Sequence, residues 1–193
     1  MKKFRIAIFA SGSGTNAEAI MQHFTQHEQI EVGLIASNKA DAYVLQRAQN
    51  HQVPAITFTR PEFYQTEIIL SVLMQYEIDF IVLAGFMWLV PDYLVKNFPN
   101  KIVNIHPALL PKYGGKGMYG IHVHEAVIQA KEKESGISIH WVNEHYDEGA
   151  IIHQAKCTIE ANDTPESLAQ KIHHLEHRDY PVVIEKIVLQ SMR

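Results

Sequence analysis

Apolar positions along the chain follow two alternating periodicities. Short β-branched apolar runs at 4–10, 32–36, 55–58, 80–85 and 102–105 read as strands covered on both faces. Between them, at about 15–27, 41–50, 62–76 and 91–97, apolar residues recur at helical spacing. This alternation predicts βαβ units in an α/β, Rossmann-like, doubly wound and mostly parallel sheet with helices on both faces. Pro61 and Pro91 suit first helical turns, where a missing N–H costs nothing.

After residue 106 the rhythm changes. Residues 107–120 form a Pro- and Gly-rich loop, followed by a helix at about 121–131. Strands at 137–142 and 151–158, joined by the polar segment 143–149, give the C-terminal part mixed strand direction. Asp163-Thr164-Pro165-Glu166 is a helix start, with a capping side chain ahead of a first-turn proline. That helix should run toward Val188, kinked or broken at Pro181. No repeat, low-complexity tract or linker interrupts residues 1–193, which predicts a single domain.

Composition narrows the classes. With 47% apolar and 20% charged residues over 193 positions, the chain is neither disordered nor fibrous. Seventeen Lys+Arg against 21 Asp+Glu give a net charge of −4, which argues against nonspecific nucleic-acid binding. The lone Cys157 cannot staple a secreted fold and reads as a core thiol. No apolar run reaches the roughly 20 residues of a membrane span. Lys2 and Lys3 ahead of the run at 4–10 superficially resemble a signal peptide, but a glycine loop follows at once. The expectation is a first strand in a cytoplasmic protein.

Three constellations carry candidate chemistry. Ser11-Gly12-Ser13-Gly14-Thr15-Asn16 joins the first strand to the first helix, where helix N–H groups favour an anion. It scans as G-x-G-x-x-A through Ala17, yet Ser37-Asn38 stands where a dinucleotide site wants an acid, and the Walker Gly-Lys-Ser/Thr is missing. Phosphate binding and a merely tight turn both stay open. Asn104-Ile105-His106-Pro107 ends a central strand, where α/β sheets bind ligands, and alternation sets Asn104 and His106 on one side. An amide beside an imidazole could stabilise an oxyanion and move a proton; a histidine satisfied by backbone is the plainer alternative. The segment 143–149 holds acids that could orient His106 and keep it protonated, or could simply form a solvated turn.

Histidines raise a metal hypothesis. His173-His174-Leu175-Glu176-His177 fits H-x-x-E-H, with His173 and His177 on one helix face. Little chain remains beyond it for a third ligand, so no metal is expected. His122 and His124 sit at a helix entry, where capping or exposure is expected.

Taken together, these motifs closely resemble the phosphoribosylglycinamide formyltransferases, folate-dependent enzymes of purine biosynthesis. The resemblance runs through the glycine loop, Ser37-Asn38-Lys39-Ala40, Leu83-Ala84-Gly85-Phe86-Met87, Asn104-Ile105-His106-Pro107, Leu109-Leu110-Pro111-Lys112-Tyr113 and Asp147-x-Gly149. It implies attack of the acceptor's amine on the formyl carbon of 10-formyltetrahydrofolate, through a tetrahedral intermediate. Asn104 would stabilise the oxyanion, His106 would move the proton, and Asp147 would hold His106 and order a water. Ser13, Gly14, Thr15 and Asn16 would bind the acceptor's phosphate, and Glu176 would contact the acceptor. Phe86, Met87, Trp88, Leu89, Val90, Asn104, His140, Val142, Asn143 and Glu144 would line the folate pocket. The implied division is an acceptor-phosphate half at about 1–100 and a folate and catalytic half at about 80–193. Trp88 replaces an arginine found in many relatives, and Gly114–Tyr119 replaces their usual Pro-Gly continuation. The implied partners are small molecules, with no nucleic acid or membrane, and a homo-oligomer stays open. Formylation of methionyl-tRNA or an amino sugar, and a non-catalytic nucleotide-binding domain, are the competing functions.

Overall fold

The computed structural model describes residues 2–192. Seven strands form one sheet, in the order β3-β2-β1-β4-β5-β6-β7. They are β1 (Phe4–Phe9), β2 (Ile30–Ser37), β3 (Ala55–Thr57), β4 (Phe80–Leu83), β5 (Ile102–His106), β6 (Glu134–Trp141) and β7 (Ile151–Thr158). The first five pair in parallel, whereas β6 is antiparallel to both β5 and β7. Chain order reverses between β1 and β4, so the crevice beyond their C-terminal ends is where such a sheet binds ligands.

Alternation along β1 shows why the strands read as continuous apolar runs. Ile6 and Ile8 enter one core, and Ala7 and Phe9 enter the other. The first core is covered by α1 (Thr15–Phe24), α2 (Val44–Asn50), α6 (Ile121–Gln129) and α7 (Pro165–Ser191). The second is covered by α3 (Arg60–Tyr64), α4 (Ile68–Gln75) and α5 (Asp92–Asn97).

Local chemistry explains where the boundaries differ from the predicted ones. The helix expected at 62–76 is two helices, because Thr66 donates its hydroxyl to the Glu62 carbonyl and accepts the Ile68 N–H. Thr59 and Glu62 form a capping box that starts α3 two residues earlier. Pro91 is the residue before α5 rather than inside its first turn. β6 begins at Glu134, three residues ahead of the apolar run; at Gly136 a side chain would run into the Ala155 carbonyl of β7.

The last helix is not broken at Pro181. It spans 27 residues from a capping box between Thr164 and Ser167, and buried residues on both sides of the proline pin it to the sheet. Among these Tyr180 is fully buried and donates its hydroxyl to the Leu83 carbonyl at 2.9 Å, with the Val103 carbonyl at 3.3 Å. One side chain of α7 thus ties the last residue of β4 to the second residue of β5.

Candidate active site

The glycine loop turns directly from β1 into α1. Gly14 sits at φ 72°, and a Cβ there would lie 2.5 Å from Val44 Cγ2, so only glycine fits between loop and α2. Ser11 fastens this loop to the one after β4: its N–H donates to the Gly85 carbonyl and its Oγ accepts the Met87 N–H, both at 3.0 Å. Asn16, on the first turn of α1, donates from Nδ2 to Glu176 Oε2 at 2.9 Å. Glu176 is 6% exposed, and burial pushes its carboxyl above the usual range, with Asn16 opposing.

Beyond β4, Phe86 and Trp88 join an aromatic cluster with Phe9, Phe58, Phe63 and Tyr64. The Arg60 guanidinium carbon lies 5.5 Å from the Trp88 ring centre and 5.0 Å from that of Tyr64. Trp88 is only partly buried and keeps a side on the cleft.

His106 ends β5 with its ring almost wholly buried. Its Nε2 lies 2.7 Å from the Tyr113 carbonyl, an acceptor, so Nε2 donates there. Nδ1 faces Asp147 Oδ2 at 3.5 Å. Burial pushes the ring below the ordinary histidine value, against the opposing pull of the Asp147 charge. The resting ring is therefore neutral at pH 7, contrary to the expectation that an acid would keep it protonated: desolvation outweighs a carboxylate held beyond hydrogen-bond contact. Burial also pushes Asp147 upward, but the His140 ring, the His106 ring and the Gly115 N–H together hold it below the usual carboxylate range. The Gly115 N–H donates to Asp147 Oδ2 at 2.9 Å. Asp147 itself sits in the left-handed region at φ 56°, with its carboxylate beside Asn104 and His106 of β5 and His140 of β6.

The glycine loop, the segment after β4 and the catalytic candidates line one cleft of about 760 Å³. Its wall carries Ser13, Gly14, Thr15, Asn16 and Glu176 at one end, Asn104, His106 and Asp147 centrally, and Phe86 through Val90 with His140 and Val142 at the other. Asn143 and Glu144 stand outside that wall: Asn143 Oδ1 caps the turn by accepting the His145 N–H, and Glu144 faces solvent.

Residues that the sequence reading gave no ligand role, or a different one, also line it, including Lys116, Tyr119, Tyr146, His173 and His124. His124 is 3% exposed rather than capping or exposed, because Val123, His124 and Val127 share the buried face of α6. Burial pushes its ring down to about 4, helped by His173 and His106, and its Nδ1 has no partner among the described residues. That face was readable from helical spacing. Glu176 of the H-x-x-E-H run bonds Asn16, while the His173 and His177 rings stack at 6.3 Å. Among the described residues no group of three His, Cys, Asp or Glu is arranged to hold a metal ion.

Residues 4–184 match the formyl transferase family model. The chain is 39% identical to the chloroplastic phosphoribosylglycinamide formyltransferase of Arabidopsis thaliana, over 100% of its own length and 68% of the relative's. It is 37% identical to the phosphoribosylglycinamide formyltransferase of Bacillus subtilis, covering 97% of this chain and 95% of that one. The crystal structure of phosphoribosylglycinamide formyltransferase from Bacillus halodurans superposes with a TM-score of 0.86 at 41% identity, covering 95% of each chain.

Proposed function

Since the chain belongs to the formyl transferase family, and is similar over its whole length to phosphoribosylglycinamide formyltransferases, we infer that its cleft formylates 5'-phosphoribosylglycinamide in purine biosynthesis. The formyl donor is 10-formyltetrahydrofolate, as the family's chemistry requires, and the one-carbon unit passes directly between the two small molecules. The observation that carries the reading is the meeting of Asn104, His106 and Asp147 midway between a glycine loop and an aromatic wall.

The acceptor's phosphate rests against the N–H groups of Ser13 to Asn16 at the start of α1, and Glu176 contacts the acceptor beyond it. The pteridine lies along Phe86, Met87, Trp88, Leu89 and Val90, with Val142 opposite. Residues at about 1–100 thus serve the acceptor's phosphate, and those at about 80–193 serve folate and chemistry, within one domain.

As the acceptor's amine attacks, a C–N bond forms and the formyl oxygen becomes anionic. Asn104 donates its amide N–H to that oxygen. His106, neutral at rest, takes the amine proton; as its ring becomes charged, Nδ1–H pairs with Asp147. The proton then passes to folate N10 as the C–N10 bond breaks. No step calls for a metal. A cytoplasmic setting belongs to this reading and is supported by Cys157, the lone cysteine, which suits a reducing compartment.

Incubation with 10-formyltetrahydrofolate and, separately, phosphoribosylglycinamide, methionyl-tRNA or an amino sugar tests the assignment. Formylation of the first is expected. Transfer to either of the others in preference would sink it.

A further inference from the structure

The two ring nitrogens of His140 are both engaged. Nδ1 lies 2.8 Å from the Trp141 carbonyl oxygen, which can only accept, so Nδ1 carries the hydrogen. Nε2 is left as an acceptor, 3.2 Å from Asn104 Nδ2; Asp147 Oδ1 stands farther off at 3.5 Å, and with the hydrogen on Nδ1 it receives none from Nε2. The same amide nitrogen lies 3.4 Å from Asp147 Oδ1. Both neighbours of the Asn104 amide are therefore acceptors. Only its amino end satisfies them; the flipped amide would set Oδ1 against two lone pairs.

His140 is 2% exposed and faces Asn104 directly in the β5–β6 register. The pair is thus held by the ladder of two adjacent strands, not by a loop. Both ring nitrogens are engaged within the protein, while the ring itself lines the cleft on the side expected for folate.

We propose that His140 is a positioning residue: fixed as the Nδ1–H tautomer by the Trp141 carbonyl, it presents a bare Nε2 that holds the amino end of Asn104 toward the reacting carbonyl. This rests on the reading of Asn104 as oxyanion donor. The longer contact to Asp147 is the one the developing oxyanion replaces, while the hydrogen to His140 stays in place.

Nitrogen-15 NMR of the histidine rings in the unmodified protein should find hydrogen on His140 Nδ1; hydrogen on Nε2 overturns the proposal. His140→Leu should lower kcat roughly 10–100-fold, below the cost of losing an oxyanion donor outright, with both KM values within about two-fold. His140→Gln, whose amide oxygen can accept from Asn104, should restore most of that loss. Asn104→Ala separates the two ideas. If it leaves kcat intact, the oxyanion reading itself fails. If it lowers kcat while His140→Leu does not, the positioning role alone fails. The double variant should be no slower than Asn104→Ala, and multiplied losses would overturn the proposal. Should the leucine variant not fold, the tautomer in the unmodified protein decides.

Discussion

Asn16 Nδ2 donates to Glu176 Oε2 at 2.9 Å, a bond that joins the first helix to the last across 160 positions of chain. Glu176 is thereby aimed at the acceptor end of the cleft although α7 is distant in sequence. Glu176→Ala should raise KM for phosphoribosylglycinamide by about 10–100-fold, the scale of one charged hydrogen bond, and leave KM for folate within about two-fold. Steady-state kinetics with each substrate varied in turn checks this. A folate KM that rises in parallel would show that Glu176 only supports the fold.

In the proposed mechanism His106, Asn104 and Asp147 act at the transition state. His106→Ala and Asn104→Ala should each lower kcat by about 10²–10³-fold, far more than they raise KM. Because Asp147 works through His106, adding Asp147→Asn to His106→Ala should cost much less than the product of the single effects. Multiplicative losses would mean the two residues act separately.

Acidity gives an independent check. Burial holds the His106 ring below 6.5, and the neutral ring is the form that accepts a proton. The rate should therefore fall as pH drops through a value below 6.5, not above it. The Asp147 charge raises that value, so Asp147→Asn should move the acid limb to still lower pH. A pH profile of kcat/KM reads both, and a shift upward in the variant would contradict the assignment.

His124 should limit stability in acid. Its ring titrates at about 4 folded against 6.5 in an ordinary setting, so the unfolded chain binds the extra proton first. Stability contributed by the neutral ring is present above 6.5 and is lost as pH falls from 6.5 toward 4, by roughly 3 kcal/mol at most. Urea midpoints at pH 7 and pH 5 should lie closer together in His124→Gln than in the unmodified chain. Equal gaps would assign the acid loss to other groups.

Trp88 has one side on the cleft and the Arg60 guanidinium over its ring. Trp88→Ala should weaken folate binding about ten-fold or more, the scale of a buried aromatic contact, and leave acceptor binding nearly unchanged. Equilibrium dialysis with each ligand separates these outcomes, and an unaltered folate affinity would remove Trp88 from that wall.

Much of the architecture was legible because parallel strands covered on both sides leave unbroken apolar runs, as Ile6 to Phe9 do. What escaped were polar details that only neighbours decide. Thr66 cut a helix by competing for backbone groups, and Glu134 to Gly136 joined β6 because β7 was there to pair with them. Pro181 loses one hydrogen bond and crowds the preceding turn, at about 3 kcal/mol, yet the buried contacts on both sides of it carry the helix through. At the site, strand alternation was enough to pair Asn104 with His106. The approach of Asp147 and the neutral state of His106 depend on a loop path and a burial that no local pattern records.

Glu176 and Tyr180 stand one turn apart on the buried face of α7, the first bonded to Asn16 in the first turn of α1 and the second to the carbonyls of Leu83, which ends β4, and Val103, near the start of β5. A shift of this helix would therefore be felt at once at the start of α1 and in the β4–β5 pair, two places far apart in the chain that border the same cleft.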